Sequence, residues 1–293
     1  MNAIQTERLT KFYGKSRGIL DLDLTVQEGE FYGFIGPNGA GKSTTIRILT
    51  GLIRKSHGSA WVLGKDISKE KEQVLSETGY LPSEAVFYPD MRGRDLLRLS
   101  ADLRRKNCRK ASDELCERLQ LDPSRRIGEL SFGNRKKLAV ICALQHNPRL
   151  CILDEPTGGL DPLMQREFFQ ILKERNRQGM TIFLSSHILS EIQRFCSCAA
   201  IIREGRIIAA GSVEELGRTN AKRVVLRGSF DPSALPGVRD LQMADDTVSF
   251  LYSGNIPLLL SHLAGHPVMD LSISEPDLEE VFLHYYTKGA DPS

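Results

Sequence analysis

Gly36-Pro37-Asn38-Gly39-Ala40-Gly41-Lys42-Ser43-Thr44 is the stretch on which the fold turns. Its spacing is G-x-x-x-x-G-K-[ST], the pattern of a loop whose backbone N–H groups cradle phosphates. Glycines let the chain curl with those groups pointing inward, at the positive end of a helix dipole. Lys42 adds a mobile charge for the β- and γ-phosphates, and the Ser43 hydroxyl is placed to ligate Mg²⁺. On one flank, Glu30-Phe31-Tyr32-Gly33-Phe34-Ile35 is an apolar run short enough for a buried strand. On the other, Thr45-Ile46-Arg47-Ile48-Leu49-Thr50 repeats at helical spacing. The competing reading is an ordinary glycine-rich turn before a helix. The strand, loop and helix context weighs against it and points to a nucleoside triphosphate.

Working outward, the 293 residues suffice for one large domain plus a small one. Lys and Arg number 39 against 37 Asp and Glu, so the net charge of +2 gives no sign of a nucleic-acid or strongly acidic partner. Met1-Asn2-Ala3-Ile4-Gln5-Thr6-Glu7 has no apolar core of a secretory signal. No apolar run approaches the ~20 residues that cross a bilayer, so a cytosolic protein is expected. The six cysteines are scattered and read as reduced thiols. Cys196 and Cys198 form the one close pair, a weak zinc signal without a second Cys or His pair beside it.

Up to about Gly217 strands and helices alternate, which implies an α/β core. Ile19 to Val26 alternates in strand fashion, and Ser59-Ala60-Trp61-Val62-Leu63 is a further strand candidate. From Arg92 to about Gln120 the pattern turns helical, with Leu96, Leu97, Leu99 and Leu103 expected on one side. Leu115, Leu119 and Leu121 mark a second helix. This charged, strand-poor region reads as a helical subdomain inserted in the core, at about 84–148. Its Arg104-Arg105-Lys106 and Arg109-Lys110 cluster is interleaved with Asp102, Asp113, Glu114 and Glu117, and so reads as a solvated helix face.

Leu150-Cys151-Ile152-Leu153-Asp154-Glu155 is an apolar strand ending in two carboxylates. A strand that merely surfaces in acids is common. After a phosphate loop, however, the strand next to the loop is expected to end in an Asp that holds Mg²⁺ through its water shell. Glu155 is then placed to polarise an attacking water. Met180 to His187 is another strand, ending in a histidine that alone would read as a cap or packing residue. Beside the other motifs, His187 is a candidate γ-phosphate contact.

The phosphate loop, Leu130-Ser131-Phe132-Gly133-Asn134, Leu153-Asp154-Glu155-Pro156-Thr157, Gly159-Leu160-Asp161 and Ser186-His187 occur in that order. The set resembles the nucleotide-binding subunit of ATP-binding cassette (ABC) transporters over roughly residues 1 to 217. The resemblance implies a P-loop ATPase core with an antiparallel β subdomain and the inserted helical subdomain. Tyr13 matches the aromatic that stacks on adenine, and Gly36 to Thr44 the Walker A loop. Asp154 and Glu155 match the Walker B aspartate and catalytic base, Asp161 the D-loop, and His187 the switch histidine. Ser131 and Gly133 fall in the signature motif, which in this family closes over the γ-phosphate held by a partner. The implied active form is a head-to-tail dimer with two ATP and Mg²⁺ at its interface.

The sequence departs from the family pattern in three places. In the signature, Phe132 replaces the first Gly of L-S-G-G-Q and Asn134 the Gln. Ser83 stands where most members carry the Q-loop glutamine, and is a poor metal ligand in its place. Gly158 stands where Ser is common. These departures bear on rate and coupling, since Ser131, Gly133 and every Walker residue are in place. Tyr80-Leu81-Pro82-Ser83-Glu84 and the signature with the Lys136-Lys137 pair that follows it look similar to exporter ATPases of the bacitracin and multidrug type, which work with a separate multi-spanning permease. A peripheral location on the inner face of the cell membrane is implied.

Beyond Gly217 a small α+β extension, 218–293, is expected. Arg223 to Leu226, Thr247 to Tyr252 and Val268 to Ile273 read as strands, and Ile256 to Leu263 as a helix. Ser274-Glu275-Pro276-Asp277 suggests the start of a closing helix from Asp277 to Tyr286, and this tail resembles that of the same exporter group. A soluble cassette ATPase of repair, translation or iron–sulfur assembly is the rival reading. One phosphate loop, no coiled-coil or zinc insertion and the exporter-like tail weigh against it. A regulatory module with little turnover is disfavoured by Glu155.

Overall fold

A computed structural model describes residues 1–14, 16–217, 221–244, 246–274 and 276. The chain divides between Val213 and Glu214 into two compact units. The first begins with β1 (Asn2–Tyr13), β2 (Ser16–Gln27), β3 (Phe31–Ile35), α1 (Lys42–Leu49), β4 (His57–Val62), β5 (Lys65–Asp66), α2 (Lys71–Glu77) and β6 (Thr78–Leu81). There follow α3 (Gly93–Asp102), α4 (Arg109–Arg118), α5 (Phe132–Leu144), β7 (Leu150–Asp154), α6 (Pro162–Arg177), β8 (Thr181–Ser186), α7 (Leu189–Phe195), β9 (Cys198–Arg203) and β10 (Arg206–Ser212).

Two sheets organise this unit. One is antiparallel, in the order β2-β1-β4-β5. Its alternating burial follows from the period of two in the sequence, with Ile19, Leu22, Leu24 and Val26 buried along β2. The other runs β10-β9-β3-β8-β7-β6, parallel apart from the β9–β10 edge. Every residue of β3, β7 and β8 is buried, as expected where both faces of a parallel sheet are covered. That explains why these strands read as unbroken apolar runs.

Strand order corrects one expectation. β7, which ends in Asp154, is not the neighbour of β3, because β8 lies between them. Two strand spacings, roughly 9.5 Å, therefore separate the strand that feeds the loop from the one that carries the carboxylates.

The helical insertion sits between β6 and β7. Within it the expected leucine face of α3 is wrong. Gly93, Leu97, Ser100 and Ala101 are buried, whereas Leu99 and Leu103 are exposed. At 100° per residue Leu96, Leu99 and Leu103 share a side, and Leu97 lies about a third of a turn away with the small residues. The basic cluster is also only partly solvated. Arg104 donates from Nη1 to the Ser100 carbonyl at 3.0 Å, and Lys106 Nζ to the His146 carbonyl at 3.0 Å. Arg118 of α4 pairs with Glu167 at 2.7 Å and Glu174 at 2.6 Å on α6, tying the insertion to the core. This half-buried fork outweighs exposed pairs such as Arg98–Asp102, which contribute ~0.5 kcal/mol or less.

The division falls at the start of α8 (Val213–Gly217). The second unit carries β11 (Lys222–Gly228), β12 (Val238–Ala244), β13 (Thr247–Tyr252), α9 (Ile256–Leu263) and β14 (Val268–Ser274). Its antiparallel sheet, ordered β12-β13-β11-β14, packs Val224, Leu226, Phe250 and Tyr252 with Leu259 and Leu263 of α9. The small α+β extension is thus present. β12 escapes sequence reading because its pairing with β13 shifts between Arg239 and Gln242, where Asp240 has φ +48°, and the shift breaks the two-residue period. The closing helix from Asp277 lies outside the described residues. Among the described residues no helix is long and apolar enough to cross a membrane.

Candidate nucleotide site

The loop after β3 is shaped by backbone it cannot displace. A Cβ on Gly36 would lie 2.5 Å from the Ile202 carbonyl and 2.8 Å from its Cγ2, so no larger residue fits. Gly41, at φ +113°, caps α1 in the left-handed region that L side chains avoid. The crest at Pro37, Asn38 and Gly39 is exposed, whereas Ala40 is buried and Ser43 and Thr44 are half-buried at the mouth of α1. Tyr13 is exposed at the end of β1, with Lys11 Nζ 5.3 Å above its ring. A Cβ on Gly18 would touch both the Tyr13 ring and Thr44, so the ring and the loop flank the same spot.

Lys42 is not the mobile charge expected. Only 3% of it is exposed, and its Nζ donates to the Gly36 carbonyl at 2.7 Å and the Pro37 carbonyl at 3.2 Å. Its ammonium also pairs with Glu155 Oε1 at 3.2 Å. A buried ammonium demands such acceptors, which phosphate oxygens can replace. Glu155 Oε2 lies 3.4 Å from His187 Nδ1. The structure thus brings Lys42, Glu155 and His187 together past the end of β8, the strand between β3 and β7.

Asp154 is 1% exposed, and its Oδ1 accepts from Ser185 Oγ at 2.7 Å. Its charge is felt at Tyr80, whose phenol is pushed up to about 12, first by burial and then by this carboxylate. Glu155 stands at φ +45°, strained for a residue with a side chain and more so before Pro156. The Glu155 N–H donates to the Ser185 carbonyl and to its Oγ, both at 3.2 Å.

Ser131 and Gly133 sit elsewhere on the unit, at the N-terminus of α5. Ser131 is exposed and caps the helix, its Oγ accepting from Asn134 N at 3.3 Å. The Phe132 ring, half exposed, lies over Gly159, so a side chain at Gly159 would collide with it. Asp161 caps α6, accepting from Met164 N at 3.0 Å. This engages Oδ1 within its own chain.

Ser83 is held by its main chain. Its carbonyl accepts from Lys136 Nζ at 2.9 Å, a contact that no sequence motif assigns. The signal for it was a lysine pair, Lys136-Lys137, at the start of the apolar run Leu138-Ala139-Val140-Ile141. A glutamine at position 83 would reach about 2.5 Å farther than the serine hydroxyl, more than a hydrogen bond tolerates. Ser83→Ala keeps the carbonyl contact and should slow hydrolysis by less than about tenfold, ~1.4 kcal/mol of barrier. Steady-state assays beside Glu155→Gln decide it, and comparable losses would make Ser83 a direct ligand.

The donors fit Mg²⁺, a hard cation that takes oxygen ligands and keeps several waters. Asp154 and the Ser43 hydroxyl offer such oxygens. Among the described residues no group of three or more His, Cys, Asp or Glu gathers at one metal position. That suits an ion held largely by phosphate and water.

A buried parallel sheet, a phosphate loop and converging Lys42, Glu155 and His187 define a nucleotide-hydrolysing cassette. The model of the ABC transporter family matches residues 19–158. The chain belongs to that family as an ATP-binding, ATP-hydrolysing transporter subunit. It is 34% identical to the bacitracin transport ATP-binding protein BcrA of Bacillus licheniformis, over 96% of each chain. With the linearmycin resistance ATP-binding protein LnrL of Bacillus subtilis it shares 29% identity, over 96% of this chain and 97% of that one. Among solved structures, an ATP-binding subunit of an ABC transporter matches with TM-score 0.70 and 29% identity, over 73% of this chain and 91% of that one. A dimeric ATP-binding cassette in a post-hydrolysis state, bound to ADP and Pi, matches in fold with TM-score 0.66 and 21% identity, covering 72% and 98%.

Proposed function

We propose that this chain is the ATPase of an exporter, closing as a head-to-tail pair over two ATP and Mg²⁺ to drive a separate membrane permease. The observation that carries the reading is the meeting of Lys42, Glu155 and His187 at the open end of the loop. The similarity to bacitracin and linearmycin proteins along nearly the whole chain supports export.

In this reading Tyr13 stacks on adenine and residues 36–44 wrap the phosphates, whose oxygens take Lys42 from Glu155. Freed, the Glu155 carboxylate accepts a proton from the attacking water, while His187 contacts the γ-phosphate. Asp154, through water, and Ser43 hold Mg²⁺, with Ser83 adding little. When bound, the ion neutralises charge on the phosphate oxygens. Ser131 and Gly133 present a helix N-terminus, an end that attracts anions, to the γ-phosphate of the partner, and Asp161 lies at the same interface. Residues 1–217 would form the ATPase domain, and 218–293 the extension. The location that follows is cytoplasmic and peripheral, on the inner face of the membrane through the permease.

Mixing Ser131→Arg with Lys42→Ala protein tests the shared site. Heterodimers would carry one intact composite site and one with both lesions, so ATPase activity above that of either parent is expected. Full activity in each parent alone would refute the trans role. Co-purification from membranes with the product of a neighbouring gene having about six spans of ~20 apolar residues tests the exporter reading. Recovery only in the membrane-free fraction would favour a soluble cassette ATPase.

A further inference from the structure

Lys136, on the first turns of α5, is 2% exposed and among the largest fully buried side chains of the molecule. Its ammonium faces three main-chain carbonyls: Pro82 at 3.0 Å, Ser83 at 2.9 Å and Glu155 at 3.3 Å. Three N–H bonds meet three acceptors, so the charge is buried with its donors matched. The carbonyls come from two segments remote in sequence, the loop after β6 and the turn after β7.

We propose that Lys136 is a positioning residue that clamps the Pro82–Ser83 loop to the strained Glu155 peptide, supplying from α5 the link that Ser83 is too short to make.

The Glu155 peptide shows what the clamp does. Its left-handed conformation, at φ +45°, is disfavoured in a residue with a Cβ, so it persists only where both ends are held. Ser185 holds the N–H and Lys136 the C=O. Between these contacts the side chain is aimed at Lys42 and His187. Burial lowers the affinity of Lys136 for its proton, to a pKa of about 8, while the Asp154 and Glu155 carboxylates pull the other way. The ammonium is therefore part of the local field of those acids as well as a tether. The role assigned to Glu155 rests on the function proposed above; the tether itself rests on the geometry alone.

The test compares Lys136→Gln, Lys136→Met and Lys136→Arg in the full chain. Lys136→Gln removes the charge and one donor, and Lys136→Met removes every donor while keeping the stem. In both, kcat should fall by about tenfold to a hundredfold, because a small misplacement of the base is costly, while KM and the affinity for a fluorescent ATP analogue stay within about twofold. Deuterium exchange in peptides spanning 79–85 and 154–158 should quicken by about tenfold, with β3 and β8 unchanged. Lys136→Arg should recover most of both. Unchanged kcat with unchanged exchange would overturn the proposal. So would exchange that rises everywhere in step with a lower melting temperature, since that marks a merely structural lysine. If wild-type protein hydrolyses no ATP, the proposed function fails instead, and the exchange data still decide the tether.

Discussion

Glu155→Gln is expected to bind ATP as the wild type does and to hydrolyse it at least about a hundredfold more slowly, the usual worth of a positioned general base. The substitution is nearly isosteric, and the main-chain contacts that hold position 155, from Ser185 and Lys136, do not involve its side chain. What changes is chemical. A carboxylate 3.2 Å from Lys42 and 3.4 Å from His187 becomes an amide that takes up no proton from water. Blocked after binding, the protein should accumulate as an ATP-closed pair. Gel filtration with Mg²⁺ and ATP reads this directly. Monomeric elution at high protein concentration would count against the shared site, and an unchanged rate against Glu155 as the base.

Much of this site was legible because its parts are local. The phosphate loop, the strand that ends in Asp154 and Glu155, and the strand before His187 each occupy a few consecutive residues, so their order along the chain carries the resemblance to the family. What escaped depends on contacts between distant segments. That Lys42 pairs with Glu155 follows from β8 lying between β3 and β7, an order that no linear motif encodes. Lys136 reads as one of two lysines at a helix start until α5 places it under the loop after β6. The misread face of α3 has a different origin. Leu96, Leu97, Leu99 and Leu103 do not share one angular position, and a helix that packs through Gly93, Leu97, Ser100 and Ala101 fills most of its buried face with small residues and leaves Leu99 and Leu103 exposed. β12 was hidden by a local shift of register at Asp240.

Lys42→Ala should lower ATP turnover by about 10² to 10³, the cost of deleting one preorganised charge aimed at a developing anion. The structure sharpens the reason. Lys42 is the cation to which the Gly36 and Pro37 carbonyls and the Glu155 carboxylate all turn, so its removal strips positive charge from the loop and leaves Glu155 paired with His187 alone. Because the stem is buried, the alanine variant also loses packing, and a shift in melting temperature of about 2–4 °C would correspond to ~1 kcal/mol. Lys42→Met separates the two effects, since it keeps the stem and discards the charge. Both variants should lose turnover alike, with the methionine protein melting closer to the wild type. Retained ATPase activity in Lys42→Met would show that charge at this position is dispensable, and would sink the assignment of residues 36–44 as the phosphate loop.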